Sequence, residues 1–358
     1  MSISRRNSFA LIVGLACLSP TTSRADKVAI ATAAVDPKSD EAKIIQPFAV
    51  DFGPDGTPYF VEMSGGEKLR KIGANGAIVT LAGSGKKGDK DGPAKEAEFN
   101  GMHNLLVAPD GTIYLADAFN SKVRKYDPTT KMVSTFAGTG KSGYSGDGGP
   151  AAKAQFNQTI CIAFGPAAKS LYVADIGNRR IRAIDMATGI VTTVAGNGQK
   201  GVPKDGESAV DQPLVDPRAV AVDAKGTIYI LERGGHALRA VSPEGKIMTV
   251  AGTGKAGKGG DGGPALQASF NGPKFLWIES TGSVLICDTE NHQVRRYVPG
   301  KATVELVAGT GKAGSAGIDG DPLKIELKRP HGASPHPKTG ELYIADSDNN
   351  RILKIVKE

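Results

Sequence analysis

Cysteine, tryptophan and long hydrophobic runs are scarce in this sequence. The 358 residues include 3 cysteines and 1 tryptophan. So few cysteines argue against a disulfide framework, and we expect Cys161 and Cys287 to be small buried residues. No apolar run reaches about 18 residues, so no membrane-spanning helix is expected. Aromatic residues make up 6% of the chain and basic residues are scattered singly, which argues against a nucleic-acid surface.

Glycine, in contrast, is abundant. The chain contains 47 glycines, 23% charged residues and 40% hydrophobic residues, with a formal net charge of +7. The balance of charged and apolar residues predicts a folded globular protein rather than a disordered one. Glycine at about twice its usual share indicates many turns, and many turns suggest a repeat architecture.

The first 25 residues follow the order of a secretory signal. Two arginines precede an apolar run over 9–18, and small residues stand just before Asp26. This order predicts a signal peptide over 1–25, a mature chain that begins at Asp26, and a periplasmic or secreted protein. The residues that end at Cys17 resemble a lipoprotein box, so lipid anchoring there stays open.

Three markers recur in a fixed order along the rest of the chain. The tetrapeptide Ala-Gly-X-Gly begins at five positions that are 55 to 58 residues apart: Ala82, Ala137, Ala195, Ala251 and Ala308. A short apolar run that ends in a carboxylate occurs six times, at Glu62, Asp117, Asp175, Glu232, Asp288 and Asp346. In most units an asparagine and then an arginine follow that carboxylate. The chain therefore contains six copies of one unit.

Each unit contains four short β-type runs separated by turn signals. Four-stranded antiparallel units at this period predict an all-β fold, a six-bladed β-propeller, because one small sheet cannot bury its faces until neighbours pack around a ring. The sixth unit lacks a fourth strand. The β-type run at 28–33 has no unit of its own, so we expect it to close the ring. Residues 26–45 are then the closing strand and linker, and 46–358 form the propeller.

One unit carries all of these motifs most completely. It reads Val-Ala-Gly-Thr-Gly over 250–254, Gly-Asp-Gly-Gly-Pro-Ala over 260–265, and Phe-Asn-Gly-Pro over 270–273. This unit resembles those of the NHL-repeat propellers, specifically the bacterial exported type, and the resemblance covers about residues 46–358. It implies the six-bladed fold. Because that family includes ligand-binding sensors, interaction scaffolds and a few enzymes, function must be argued from a site.

The repeated carboxylate, asparagine and arginine are expected to be structural. They suit the pairing of charges and the satisfaction of backbone groups in loops, and a device present in every blade is no sign of a unique site. The glycine-rich loops at 88–92, 146–148 and 260–262 lack the Lys-Ser/Thr pair of a phosphate-binding loop and the aspartate spacing of an EF-hand. We expect these loops to be turns that need positive φ at glycine.

Positions at which the blades differ are the candidates for function. The opening residue of each blade's first strand should line the central channel, and we call these six residues the mouth ring: Phe48, His103, Ile160, Arg218, Lys274 and His331. The mouth ring contains two histidines, two cations and no carboxylate. It therefore predicts binding of a small anion through His103, Arg218, Lys274 and His331.

A metal site is the alternative at the same ring. His103 and His331 resemble the histidine placements of the amidating lyases that act on peptidyl-hydroxyglycine, six-bladed propellers with zinc on channel histidines, and that resemblance implies zinc on this pair. A catalytic zinc usually takes three protein ligands, and no third histidine stands in the ring. Gluconolactonase-type propellers hold a divalent cation such as calcium, but the glutamate that opens their motif is absent at 46–49.

The sequence thus favours a monomeric binding module for a small anionic ligand or a protein partner, without a cofactor. A metal-dependent lyase or lactonase that uses zinc or calcium stays open as the alternative. No Ser-His-Asp or Cys-His arrangement is recognisable, and the two cysteines outside the signal peptide look buried, so a nucleophilic enzyme is not predicted.

Overall fold

Six antiparallel sheets in a ring make up the described part of the chain. The computed structural model describes residues 26–31 and 43–356, and the predicted signal peptide, with Cys17, lies outside these residues. In the described part, the regular secondary structure consists of β-strands and of 3-10 helices of three residues each. The first strands of successive blades contact one another around the ring, and the last contacts the first. The chain is a six-bladed β-propeller, as its sequence predicts.

The strands of each blade run from the channel outward in chain order. β1 (Lys27–Ile30) belongs to the last blade, and blade 1 consists of β2 (Pro47–Phe52), β3 (Pro58–Glu62), β4 (Leu69–Ile72) and β5 (Ile78–Ala82). A short extra strand, β6 (Gly92–Pro93), joins blade 2, which consists of β7 (Met102–Val107), β8 (Ile113–Asp117), β9 (Lys122–Asp127) and β10 (Met132–Ala137). Blade 3 consists of β11 (Thr159–Phe164), β12 (Ser170–Asp175), β13 (Arg180–Asp185) and β14 (Val191–Ala195).

The second half of the ring repeats this plan. Blade 4 consists of β15 (Pro217–Val222), β16 (Ile228–Glu232), β17 (Ala237–Val241) and β18 (Ile247–Ala251). Blade 5 consists of β19 (Phe275–Ile278), β20 (Val284–Asp288), β21 (Gln293–Val298) and β22 (Thr303–Ala308). Blade 6 contains β23 (Gly332–Pro335), β24 (Leu342–Asp346) and β25 (Arg351–Val356). The 3-10 turns are Ala94–Glu96, Ala118–Asn120, Ala151–Lys153, Pro166–Ala168, Ile176–Asn178, Ala209–Asp211, Ala265–Gln267, Thr289–Asn291, Pro322–Lys324 and Ser347–Asn349.

β1 supplies the fourth strand of blade 6. It pairs antiparallel with β25, with Val28 opposite Ile355. On its other edge, the Val28 amide donates to Gly320 O at 3.0 Å, and the Asp319 amide donates to Val28 O at 2.8 Å. The Val28 side chain is 1% exposed. The predicted closure of the ring by an N-terminal strand is therefore confirmed.

The repeated polar set braces each blade. In blade 2, Asp117 Oδ1 accepts from the Asn100 amide, and its Oδ2 accepts from Asn120 Nδ2 and from Arg124 Nη1. Arg124 also donates to Asp91 from the glycine-rich loop. These contacts satisfy loop backbone and pair buried charges, so the structural interpretation of the set is confirmed.

The glycine-rich loops present an aspartate to the same arginines. Asp147 accepts from Arg182 in blade 3, and Asp261 accepts from Arg295 in blade 5. The glycines that flank Asp147 have φ of 90° and 79°, a region that side chains other than glycine rarely adopt. The loops are turns, as predicted, and the aspartate gives each turn a partner within its own blade.

Candidate functional site

The mouth ring is built by a β-bulge at the start of the first strands. In blades 1 to 4 the register between first and second strands shifts at this point, and the residue inside the shift is Phe48, His103, Ile160 or Arg218. In blades 5 and 6 the equivalent residues, Lys274 and His331, directly precede the strand. A bulge redirects a side chain out of the regular alternation of a strand.

Three adjacent blades bring an aromatic group together on one side of the ring. Phe48 stacks on His331 with ring centroids 4.0 Å apart, and it meets His103 edge to face at 5.0 Å. Phe119 meets the other side of His103 at 5.4 Å. Ile160 packs apart from this group, against Ala118 and Ile176.

Both histidines have a defined tautomer. His103 Nδ1 lies 2.7 Å from Gly101 O, and His331 Nδ1 lies 2.8 Å from Arg329 O. A carbonyl oxygen only accepts, so each Nδ1 carries the proton. Each Nε2 is then a lone-pair acceptor, and neither Nε2 has a hydrogen-bond partner among the described residues.

The histidines are held neutral. Burial lowers the pKa of His103 to about 3, and the positive charges of Arg218 and Lys274 add to the shift. Burial, Lys274 and Arg218 also lower the pKa of His331 well below its usual value. The charges of Arg218 and Lys274 thus act on both histidines, so the four predicted contact residues interact electrostatically.

Arg218 differs from every other buried arginine in the described part. Six arginines there are buried, and five pair with carboxylates: Arg70, Arg124, Arg182, Arg239 and Arg295. Arg218 is 5% exposed, forms no ion pair with a described residue, and has no partner for its Nε. Burial lowers its pKa to about 9, and the charge of Arg233 adds to the shift. An unpaired buried guanidinium is costly unless an anion meets it.

Lys274 is neutralised by an acid that the first-strand alignment does not reveal. Its Nζ lies 2.6 Å from Glu290 Oε1, and Arg329 Nη2 lies 2.9 Å from the same oxygen. Burial lowers the pKa of Lys274, and Glu290 opposes part of that shift. Lys274 is therefore already paired with an acid, and Arg218 is the cation left to meet a ligand.

The alignment of the first strands does not include a second set of residues near the mouth ring, because these residues lie in the turns that follow the second strands. Phe119 and Glu290 both stand two positions after the repeated carboxylate, at Asp117 and Asp288. In blade 6 the same position holds Asp348, which lies 3.7 Å from Arg329. The sequence signal for these residues is the difference between the six blades at the position two residues after the repeated carboxylate.

Comparisons with known proteins agree with the repeats. No known family profile matches the chain. It is 28% identical over 289 residues to Protein SUPPRESSOR OF QUENCHING 1, chloroplastic, of Arabidopsis thaliana, which covers 78% of this chain and 27% of that protein. It is 23% identical over 317 residues to NHL repeat-containing protein 2 of Bos taurus, covering 81% of this chain and 43% of that protein.

The chain is a six-bladed propeller whose repeats are similar to those of the NHL repeat-containing proteins. It spans 27% of the length of the first of these two relatives and 43% of the length of the second. Among solved structures, an auxiliary nutrient binding protein of Bacteroides ovatus has the same fold, with a TM-score of 0.64 and 16% identity over 88% of this chain and 70% of that one. Among residues 26–31 and 43–356, no helix is long and apolar enough to cross a membrane.

The mouth ring of this propeller does not fit a catalytic zinc or calcium site. The fixed tautomers leave Nε2 of His103 and His331 free, which suits a metal ligand. However, Phe48 contacts both imidazoles, and the remaining ring positions supply no third donor. Calcium prefers several oxygen ligands, and the ring supplies no carboxylate. Nowhere in the described part do three or more His, Cys, Asp or Glu side chains form a cluster suited to a metal.

Proposed function

We propose that this NHL-repeat propeller is a binding module whose mouth ring takes a small hydroxy carboxylate. The observation that carries the proposal is Arg218, the one buried arginine without a described acid partner. A carboxylate accepts two parallel hydrogen bonds from a guanidinium. Such a ligand would supply the negative charge that the folded protein lacks at this position.

The histidines favour hydroxyl groups on that ligand. Both present a bare Nε2, because each Nδ1 proton is donated to a carbonyl. A bare Nε2 accepts a hydrogen bond but gives none, so it suits a hydroxyl donor and not a second carboxylate. Phe48 lies against both imidazoles and fixes the orientation of the two rings.

The description of one solved neighbour suits a binding role. The propeller from Bacteroides ovatus is described as an auxiliary nutrient binding protein. Its likeness to this chain supports the fold, and the local chemistry of Arg218 and the histidines supports the class of ligand. An anionic nutrient such as a sugar acid has both groups that the ring calls for.

Titration calorimetry with gluconate tests the proposal. We expect saturable binding to the wild type and at least a tenfold loss of affinity in Arg218→Gln, because the charged fork is removed. The melting temperature of unliganded Arg218→Gln should not fall, since the substitution removes a buried charge that has no partner. That result separates loss of binding from loss of folding.

Arg296→Gln is the matched control for gluconate binding. Arg296 donates two hydrogen bonds to Glu279, so it already has its acid partner. Its removal should leave gluconate affinity unchanged. Absence of gluconate binding, together with no binding of lactate, citrate or phosphate, would refute the proposed function, and so would equal affinities in wild type and Arg218→Gln.

We also propose that the chain is exported and processed before Asp26. β1 begins at Lys27, so cleavage there leaves the closing strand whole. We expect Edman sequencing of the protein from the periplasmic or culture fraction to begin at Asp26. Recovery with residues 1–25 still attached, or with a lipid on Cys17, would contradict cleavage at this position.

A further inference from the structure

A cavity lies further along the first strands than the mouth ring. It has a volume of about 220 Å³ and is lined by first-strand residues of blades 1 to 5. Its lining residues stand up to three or four positions after the mouth ring, which is roughly 10 Å further along each strand. Trp277 and Ile278 are half-buried, so the cavity reaches solvent at the ends of these strands.

Most of the side chains that line this cavity are apolar. One residue of each first strand pairs with the second-strand residue three positions before the repeated carboxylate, and these six are Asp51, Leu106, Ala163, Ala221, Trp277 and Ser334. Five of the six line the cavity. Asp51 is the only carboxylate among its lining residues, and the remaining polar side chain is Asn104.

Asp51 is buried without a counter-charge. It is 7% exposed and forms no ion pair with a described residue. Its Oδ1 accepts from the Phe52 amide at 2.8 Å, and its Oδ2 accepts from the Val107 amide of the next blade at 2.7 Å. Burial raises the pKa of Asp51 to about 7, although these two hydrogen bonds oppose the shift. Each oxygen still has a lone pair available for another donor.

We propose that this cavity binds a small organic amine, with the ammonium on Asp51 and an apolar body against Trp277 and the aliphatic wall. Charge complementarity selects the occupant, because the one carboxylate in the lining has no ion-pair partner among the described residues. A cavity of about 150 Å³ accommodates benzene, so this one has room for an arylalkylamine. The indole face of Trp277 also suits a cation.

Burial, and not a neighbouring charge, raises the pKa of Asp51. The strands packed against β2 carry Tyr59 and Glu62 on β3, His103 on β7, and Tyr343 and Asp346 on β24. None of these exerts a resolved electrostatic effect on the Asp51 carboxyl, for which burial is the dominant cause of the shift.

The single tryptophan makes the test direct. Trp277 is the chain's one tryptophan, so its fluorescence reports on the cavity. We expect 2-phenylethylamine to change this fluorescence saturably at about pH 8.5. Affinity should fall roughly 30-fold at about pH 5.5, because Asp51 is then mostly protonated. Ethylbenzene, which has the same apolar body and no charge, should bind with little dependence on pH.

Asp51→Asn keeps the size and one acceptor of Asp51 but removes its charge. It should weaken amine binding at least tenfold and leave ethylbenzene binding within twofold. Asp55→Asn is the matched control, because Asp55 is an exposed carboxylate in the hairpin that follows β2 and lies outside the cavity. It should bind the amine as the wild type does.

Three outcomes would overturn the inference. They are no saturable fluorescence change in the wild type, equal amine affinity in Asp51→Asn, and amine affinity that does not change with pH. The pH comparison uses the wild type alone, so it decides the question even if Asp51→Asn fails to fold. A carboxylate that serves only as a brace between blades 1 and 2 would give the first outcome.

Discussion

Replacing Val28 by aspartate should destabilise the whole propeller by about 3–4 kcal/mol, or more. The substitution places an unpaired charge on a side chain that is 1% exposed. It loses the transfer free energy of valine and adds the cost of a buried charge. β1 lies between β25 and the loop at 319–320, so weakening it opens the edge at which the ring closes. For a chain of this size the expected drop in melting temperature is roughly 5 °C.

Ile30→Asp is the matched control for that substitution. Ile30 lies on the same strand, two residues on, and its side chain is 48% exposed. It pairs with Leu353 in the same sheet, so both variants carry the same added charge on the same hydrogen-bonded strand. Thermal unfolding followed by circular dichroism should show a small change for Ile30→Asp. If the two variants melt together, β1 does not hold the ring closed.

The fold could be predicted because its signals are local and repeated. Turn residues, short apolar runs and a fixed period each act within one blade, and six copies reinforce the assignment. The closing strand was predictable for a different reason: one blade lacked a strand, and one strand lacked a blade. The predicted strand at 28–33 begins one residue late, because pairing with β25 over Lys27–Ile30 decides its bounds rather than its own β propensity.

The sequence predicts which residues form the mouth ring, but not which of its cations are paired with acids. Aligning the blades gives the six opening residues without any tertiary information. Whether a cation in the ring is free depends on the loops that fold over it, and those loops differ in sequence between blades. Glu290 neutralises Lys274 from the loop after β20, while Arg218 has no such partner. Pairing of this kind is a property of the assembled ring, so the sequence of one strand does not contain it.

Asp51 and Trp277 illustrate the same limit on a smaller scale. Both lie on first strands, and the alignment of opening residues passes over them. Their importance arises from five blades that place one carboxylate and one indole around a shared apolar space. Asp51, the fifth residue of β2, gives no sign of facing the channel until the bulge at the start of that strand is known, because the bulge shifts the alternation of the strand.

The two histidines of the mouth ring should make the protein acid-sensitive between about pH 6.5 and about pH 3. An unfolded histidine binds a proton below about pH 6.5, whereas burial keeps folded His103 neutral down to about pH 3 and also lowers the pKa of His331 well below its usual value. The unfolded state therefore binds more protons in this window, and stability falls as the pH falls through it. Between pH 7 and pH 5 His103 should account for about 2 kcal/mol of this loss, and His331 should add to it in the same direction.

A double variant, His103→Asn with His331→Asn, isolates that contribution. Asparagine retains a donor near the position of Nδ1, so the bonds to Gly101 O and Arg329 O have a replacement. Other groups, including Asp51 with its raised pKa, titrate in both proteins and cancel in the comparison. Urea unfolding at pH 7 and at pH 5 should show the wild type losing at least about 2 kcal/mol more than the variant, the share of His103 alone. Above pH 7 the two curves of unfolding free energy against pH should run parallel, because neither state of the wild type then protonates these imidazoles.

Equal losses of stability on acidification would mean that the folded ring accepts protons as readily as the unfolded chain. Its histidines would then not be the neutral acceptors on which the proposed recognition of hydroxyl groups depends.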